Sequence, residues 1–260
     1  AGVVNLVCGH REASDHLVCN SKIDKVSFTG STVAGKRIAS VCGERIARCT
    51  LELGGKSAAI IADDFPIEAA AKMLTGTLNM MSGQVCAMLS RAIVPRARHD
   101  ELADAIAGEM AKVRSGHSDV PSTELGPLAM KRQLERVEGY IALGKETADL
   151  RHGGGRPAHM NQGYFIEPTL FANVDNESRI AQEEIFGPVL AIVRAPDYET
   201  ALGLINQHEY GNGTAIFTCD GDTARDFTAR VQVGMVGVNV PIPVPMAFHS
   251  FGGWKRSIFG

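Results

Sequence analysis

Short apolar runs alternate with amphipathic stretches along almost the whole chain, and this alternation limits the possible folds more than any other feature. Apolar runs with β-branched residues predict strands at 3–7, 25–28, 50–53, 57–62, 91–95, 168–174, 188–193, 214–218 and 235–240. Stretches with apolar residues at helical spacing predict helices at 31–40, 67–79, 99–114, 130–144, 198–207 and 223–231. Alternation of strands and helices predicts an α/β fold with a mainly parallel sheet.

Composition narrows the class of protein. The 260 residues are 45% hydrophobic, which is enough for one large core or two smaller ones. The formal net charge of −3 argues against a nucleic-acid partner, because nucleic-acid binders normally present a basic face. No apolar run approaches the roughly 20 residues that a membrane helix needs, so we expect no membrane partner.

Cysteine and histidine usage bears on redox state and metals. The six cysteines are sparse and form no CxxC pair, and the eight histidines form no HxxH or HxxxH pair. We therefore expect no disulfide framework and no metal site. The expected compartment is the cytosol or an organellar matrix, and of these we favour the cytoplasm.

The two ends of the sequence suggest a longer protein. The chain begins with Ala1 rather than Met, and it stops at FGGWKRSIFG without a capping element. We expect it to be a piece of a larger chain.

A glycine-containing turn, Gly30-Ser31, follows a predicted strand and opens a predicted helix. This context suits a phosphate, because free N–H groups and the helix dipole meet an anion there. Residues 30–37 nearly match the Walker A pattern of NTPases, but Arg37 stands where Ser or Thr must bind Mg²⁺. An ordinary strand–helix turn remains the alternative.

A carboxylate occurs inside an apolar strand in the segment LELGGK. Glu52 lies between Leu51 and Leu53, so it must point away from the face that the leucines occupy. A glutamate against apolar surface has a raised pKa and can act as a general base. The alternative is a salt bridge, for example with Lys56.

Two further segments carry candidate side chains. A glycine-containing turn places Cys86, in SGQVCA, between a helix and a strand, where a thiolate could be a covalent nucleophile. The alternative is a buried core cysteine. In EEIFGPV, Glu184 could accept hydrogen bonds from ribose hydroxyls, or it is a solvated loop acid.

Five motifs occur in a recognisable order and spacing: FTGST, LELGGK, GQVC followed by SR, EEIFGPV and the terminal FGGWKRS. In this respect the chain resembles the NAD(P)-dependent aldehyde dehydrogenase superfamily. The resemblance runs from Ala1 to Gly260 and covers about the C-terminal half of a typical member. It implies part of a Rossmann-type cofactor domain at 1–54, an α/β catalytic domain at 55–240 and a return segment at 241–260.

The resemblance also implies roles for individual residues. Cys86 corresponds to the nucleophile and Glu52 to the general base. The positions that correspond to the cofactor site are Gly30 and Ser31 at the pyrophosphate, the Leu53 backbone at the nicotinamide, Glu184 at the nicotinamide ribose, and Phe186 beside it.

The implied reaction is oxidation of a small-molecule aldehyde to a carboxylic acid, with NAD or NADP as cofactor and a thioester on Cys86. The implied full-length form is a homo-oligomer, and we expect the 260-residue piece alone to be inactive. Two alternatives stay open. The first is a coenzyme A-acylating enzyme, because from Gly211 onward the sequence resembles methylmalonate-semialdehyde dehydrogenases. Those enzymes use coenzyme A as acyl acceptor and typically lack the glutamate of LELGGK, so retention of Glu52 favours hydrolysis. The other alternative is a non-catalytic binding protein, against which the retained Cys86 and Glu52 argue.

Overall fold

The structure, a computed structural model, describes residues 2–260. Its strands are β1 Lys25–Thr29, β2 Arg48–Glu52, β3 Ser57–Ile61, β4 Leu89–Pro95, β5 Asp149–His152, β6 Thr169–Ala172, β7 Val189–Ala195, β8 Tyr210–Gly211, β9 Gly213–Phe217, β10 Met235–Val238, β11 Trp254–Lys255 and β12 Ile258–Phe259. Its helices are α1 Arg11–Cys19, α2 Thr32–Glu44, α3 Ile67–Asn79, α4 His99–Met110, α5 Lys131–Thr147, α6 Arg179–Gln182, α7 Tyr198–Asn206 and α8 Gly221–Arg230. The predicted α/β fold is confirmed.

The described chain divides into two compact units. The smaller unit comprises the chain up to Gly54 together with Arg256–Gly260. Its three-stranded sheet has the order β1-β2-β12, with β1 parallel and β12 antiparallel to β2. Helix α2 covers this sheet through a small core formed by Ile38, Cys42, Leu51 and Leu53.

The larger unit, Gly55–Lys255, contains a seven-stranded sheet of order β10-β9-β3-β4-β7-β6-β5. Every neighbouring pair is parallel except β5 with β6. The central strand β3 is buried at all five positions, as expected for a parallel strand covered on both faces. A separate antiparallel pair joins β8 to β11.

Two apolar clusters pack on opposite faces of this sheet, because successive side chains of a strand point in opposite directions. Ala58 and Ile60 of β3 belong to the cluster that includes residues of α5, α7 and α8. Ala59 and Ile61 belong to the cluster that includes residues of α3 and α4. The segments that contain Cys86 and Glu184 lie in loops between helices and strands of this sheet.

Residues 3–7 were expected to form a strand, and this prediction is wrong. The structure shows no strand there, and the side chains of Val3, Val4, Leu6 and Val7 are 80–94% exposed. An apolar run becomes a strand only where a neighbouring strand can bond its backbone, and none of the described strands pairs with it. Sequence patterns also missed α1 and β5, whose residues are mostly polar and exposed.

No helix among residues 2–260 combines the length and the apolar character that crossing a bilayer would require. Within the same residues, no three His, Cys, Asp or Glu side chains are grouped so that they could hold a metal ion.

Candidate active site

Cys86 lies in a sharply turned segment between α3 and β4. A short 3₁₀ helix, Met80–Gly83, follows α3, and within it Met81, Ser82 and Gly83 have φ angles of 47°, 56° and 74°. Left-handed backbone is costly for side chains other than glycine, so surrounding contacts must hold this turn in place. Cys86 itself is partly buried.

Side chains of the turn bind the loop that precedes α5. The hydroxyl of Ser82 donates to the carbonyl of Gly126 at 2.9 Å. The amide oxygen of Gln84 accepts from the backbone N–H of Ala129 at 3.0 Å. These two bonds fix the strained turn immediately before the cysteine.

Gly83 packs directly against the backbone of the EEIFGPV segment. A Cβ atom on Gly83 would overlap the backbone of Gly187 and approach Pro188 N to 2.5 Å. Only glycine fits here, both for its positive φ and for this close approach. The cysteine segment and the glutamate segment are therefore in backbone contact.

We expect Gly83→Ala to destabilise the larger unit by about 2–3 kcal/mol, because it combines left-handed backbone strain with overlap against fixed backbone. Gly76→Ala is a matched control, since Gly76 lies inside α3 with no atom within 4 Å of a Cβ. That change should stabilise the protein by roughly 0.5–1 kcal/mol. Urea unfolding of both variants measures the difference, and equal effects would contradict this account of the turn.

Gly55 links the cysteine and glutamate segments a second time. Its backbone N–H donates to Oε1 of Glu184 at 3.2 Å. A Cβ atom on Gly55 would overlap the carbonyl oxygen of Cys86. The structure thus brings together Gly55, Cys86 and Glu184, which are distant in sequence but meet within the larger unit.

Glu184 is a partly buried carboxylate. Burial raises its pKa above the ordinary value for glutamate, and this effect outweighs the Gly55 N–H bond and the positive charges of Arg136 and Lys56. Phe186, two residues later, is exposed and has a φ of 61°. The loop therefore presents a carboxylate and an aromatic ring together.

Two side chains of α5 hold this loop in place. Gln133 donates through Nε2 to the carbonyls of Phe186 at 2.6 Å and Ile185 at 3.1 Å. Arg136 donates to the carbonyls of Ile185 and Glu184. Sequence reasoning missed both side chains. The available signal was their i, i+3 spacing, which puts two polar groups on one face of the helix.

Glu52 ends β2 in the smaller unit. Its neighbours Leu51 and Leu53 are buried, whereas Glu52 is partly exposed on the opposite face, as its position between two leucines predicted. Partial burial raises the pKa of the Glu52 carboxyl. A glutamate whose pKa lies closer to neutrality is suited to accept a proton.

The start of α2 offers a place for a phosphate. Ser31 caps the helix by accepting from the Ala34 N–H at 3.3 Å. The N–H of Gly30 donates to the carbonyl of Glu52 at 3.0 Å, and a Cβ on Gly30 would come within 2.5 Å of the Phe28 ring. No acidic residue lies in the first turn to repel an anion. The remaining free N–H groups at the start of the helix are of the kind that can bind an anion.

The predicted site residues are divided between the two units. Gly30, Ser31, Glu52 and Leu53 belong to the smaller unit, where the Leu53 N–H donates to the Ser257 carbonyl at 2.8 Å. The larger unit contains Cys86, Glu184 and Phe186. The catalytic and cofactor roles of these residues stay predictions.

Comparisons with known sequences and with solved structures indicate the same family. The aldehyde dehydrogenase family matches residues 1–260. The chain is 42% identical over its whole length to geranial dehydrogenase of Castellaniella defragrans and covers 54% of that protein. It is 40% identical to malonate-semialdehyde dehydrogenase of Pseudomonas aeruginosa and covers 53% of it. The chain thus spans about half the length of the curated relatives it matches.

Solved structures agree with this result. A putative methylmalonate-semialdehyde dehydrogenase from Sinorhizobium meliloti complexed with NAD matches with a TM-score of 0.92 and 39% identity, covering 97% of this chain and 52% of that one. An aldehyde dehydrogenase from Mycobacterium tuberculosis complexed with NAD⁺ matches with a TM-score of 0.91 and 40% identity, over the same shares of the two chains. The chain belongs to the aldehyde dehydrogenase family.

Proposed function

We propose that this chain carries the nucleophile, the general base and part of the cofactor site of an enzyme that oxidises an aldehyde to a carboxylic acid. The observation that carries the proposal is the meeting of three motif segments at Gly55, which binds Glu184 and packs beneath the Cys86 carbonyl. Such fixed backbone contacts would hold a reactive sulfur in a defined position.

The chemistry at Cys86 has two covalent stages. The thiolate attacks the aldehyde carbon, which forms a C–S bond and moves the carbonyl electrons onto oxygen. Backbone N–H groups, including that of Cys86, stabilise this oxyanion. Loss of hydride from the same carbon leaves a thioester on Cys86.

The cofactor is NAD(P)⁺, which when bound supplies the hydride acceptor. Gly30 and Ser31 would hold the pyrophosphate, the Leu53 backbone would face the nicotinamide, and Glu184 would bind the ribose beside Phe186. Two of the related structures are complexes with NAD, which supports a nicotinamide dinucleotide. Hydrogen bonds from Gln133 and Arg136 of α5 to the backbone carbonyls of Phe186 and Glu184 would keep both residues in a fixed orientation.

Release of the product requires an acyl acceptor, and we propose water. Glu52 would remove a proton from water as its oxygen attacks the thioester carbon, so that the carboxylic acid leaves and the Cys86 sulfur departs as thiolate. Coenzyme A is the second candidate, because relatives named as semialdehyde dehydrogenases match this chain closely. The retained Glu52 favours water.

Alkylation tests the proposal without substrate. Iodoacetamide should label Cys86 roughly ten times faster than the exposed thiols of Cys8, Cys19 and Cys219, because activation rather than access would set the rate. Peptide mass spectrometry over a time course measures all six thiols. Labelling that simply follows exposure would contradict an activated nucleophile at position 86.

We also propose that the full-length enzyme is a cytoplasmic homo-oligomer. The segment that follows β10 carries several exposed large apolar side chains: Val240, Val244, Met246, Phe248, Phe251 and Trp254. Clustered exposed apolar side chains support the proposal that another subunit covers this surface. Light scattering of the full-length protein measures the number of subunits.

A further inference from the structure

Unpaired buried polar atoms concentrate in one cavity of the larger unit. Among residues 2–260, seven buried side-chain nitrogen or oxygen atoms have no hydrogen-bond partner, and four of them belong to residues lining this cavity: Lys56 Nζ, Ser57 Oγ, Arg91 Nε and Asn212 Oδ1. Each of the four residues is at most 4% exposed. Buried polar groups are normally paired, so a cluster of unpaired ones indicates a missing occupant.

Regular structure holds these groups in place. Lys56 and Ser57 lie at the amino-terminal start of β3, and Arg91 lies in the adjacent parallel strand β4, opposite Ala58. Asn212 lies between β8 and β9 in the chain, and β9 is the strand that pairs with β3 on the side away from β4. Donors fixed on the central strands of a sheet form a rigid site.

The cavity carries unbalanced positive charge. Arg91 donates from Nη1 to the neutral amide of Asn176 at 2.6 Å, and Lys56 makes no hydrogen bond. Neither forms an ion pair with any described residue. Three carboxylates raise the pKa values of these cations electrostatically but lie beyond ion-pair distance: Glu183 and Glu184 affect Lys56, and Glu177 affects Arg91. Glu184 accepts a hydrogen bond from the N–H of Gly55 instead.

Two further basic groups adjoin the cavity without balancing it. His208 accepts from the N–H of Tyr210 at Nδ1, which leaves Nε2 as the donor to the Gln182 carbonyl, so its ring is neutral. Burial and the neighbouring cations lower the pKa of His208 to about 3, in agreement with this assignment. Lys255 donates to the carbonyls of Asn206 and of Ile205, which lines the cavity, and burial and the Arg91 charge lower its pKa.

The size of the cavity limits its occupant. Its volume is only about 10 Å³. This is room for one water molecule or one monatomic ion, and a phosphate or carboxylate ligand is too large.

We propose that this cavity binds one chloride ion, held by Lys56 Nζ, Ser57 Oγ and Arg91 Nε. A water molecule would satisfy the unpaired atoms but would leave Arg91, and Lys56 whenever it is protonated, without a counter-charge, whereas an anion meets both needs. Rotation of the Asn212 amide exchanges its oxygen for an NH₂ donor, which suits an anion. Burial and the Arg91 charge lower the pKa of Lys56 to about 7, and a bound anion would favour the protonated amine.

Bromide tests the site directly, because it replaces chloride and scatters anomalously. Crystals of the full-length protein grown in bromide should show an anomalous peak, measured at the bromine absorption edge, in contact with Lys56, Ser57 and Arg91. Electron density there without anomalous signal would identify water and overturn the proposal, as would an empty cavity.

Thermal unfolding gives an independent measurement. At equal ionic strength, we expect Tm to be about 2–4 °C higher in potassium chloride than in potassium gluconate. Lys56→Met should abolish this difference, and the surface variant Lys72→Met should retain it. Ser57→Ala keeps both charges and should reduce the difference, which preserves the test if Lys56→Met does not fold. The same chloride effect in all variants would contradict a specific site.

Discussion

Replacing Cys86 with serine in the full-length enzyme is expected to lower kcat/KM for aldehyde oxidation by roughly 10³-fold or more. A serine hydroxyl is far less nucleophilic than a thiolate near neutral pH, so the variant would have no effective nucleophile at position 86. The loss should appear in kcat, since the covalent bond forms in the chemical step. Steady-state kinetics with NAD⁺ and intact-protein mass spectrometry of the acyl adduct measure it.

Cys219→Ser is the control for this experiment. Cys219 lies in the same unit and is exposed, yet it is outside the three motif segments that meet at Gly55. We expect that variant to retain activity within about twofold, the usual scale for a surface change. A Cys86→Ser enzyme that still forms an acyl adduct would refute covalent catalysis at this position.

Replacing Glu52 with glutamine is expected to separate the two halves of the reaction. The thioester should form at close to the normal rate, whereas release of the acid should slow by roughly 10²–10⁴-fold, because glutamine cannot accept a proton from water. A rapid burst of NADH followed by slow turnover, with an acyl adduct on Cys86, is the expected signature. Quenched-flow kinetics and mass spectrometry measure both parts.

The pH dependence follows from the same carboxylate. Burial raises the pKa of Glu52, and only its ionised form can accept a proton, so acid release should rise with pH through that pKa and level off above it. Glu52→Gln should remove this rise. Glu44→Gln is the matched control, since Glu44 is an exposed carboxylate at the end of α2 in the same unit. A Glu52→Gln enzyme with normal turnover that requires coenzyme A would instead support the acylating alternative.

Local patterns predicted the elements with strong periodicity. The helix expected at 67–79 occupies the observed range Ile67–Asn79, and the buried strand expected at 57–62 is observed as Ser57–Ile61. Both bury most of their apolar side chains, so hydrophobic burial and backbone pairing favour the same structure. Residues 3–7 have the apolar pattern of a strand, but no strand within residues 2–260 pairs with them, so the strand predicted there is not formed.

The candidate site was predictable only in part. Motif order and the position of Glu52 between two leucines are properties of the sequence, and they identified the family and the partly exposed carboxylate. Gln133 and Arg136 were not predicted, because a glutamine and an arginine on a helix are usually solvent-exposed. Their importance depends on which loop carbonyls lie opposite them.

The order of residues along this chain therefore determined the alternation of strands and helices, the family and the candidate nucleophile, since each is encoded by side chains within a few positions of one another. Tertiary structure decided that Gly55 touches both Cys86 and Glu184, and that Lys56 and Arg91 share a buried cavity. Contacts between residues 30 to 130 positions apart depend on strand order and register, and no local pattern of side chains records either.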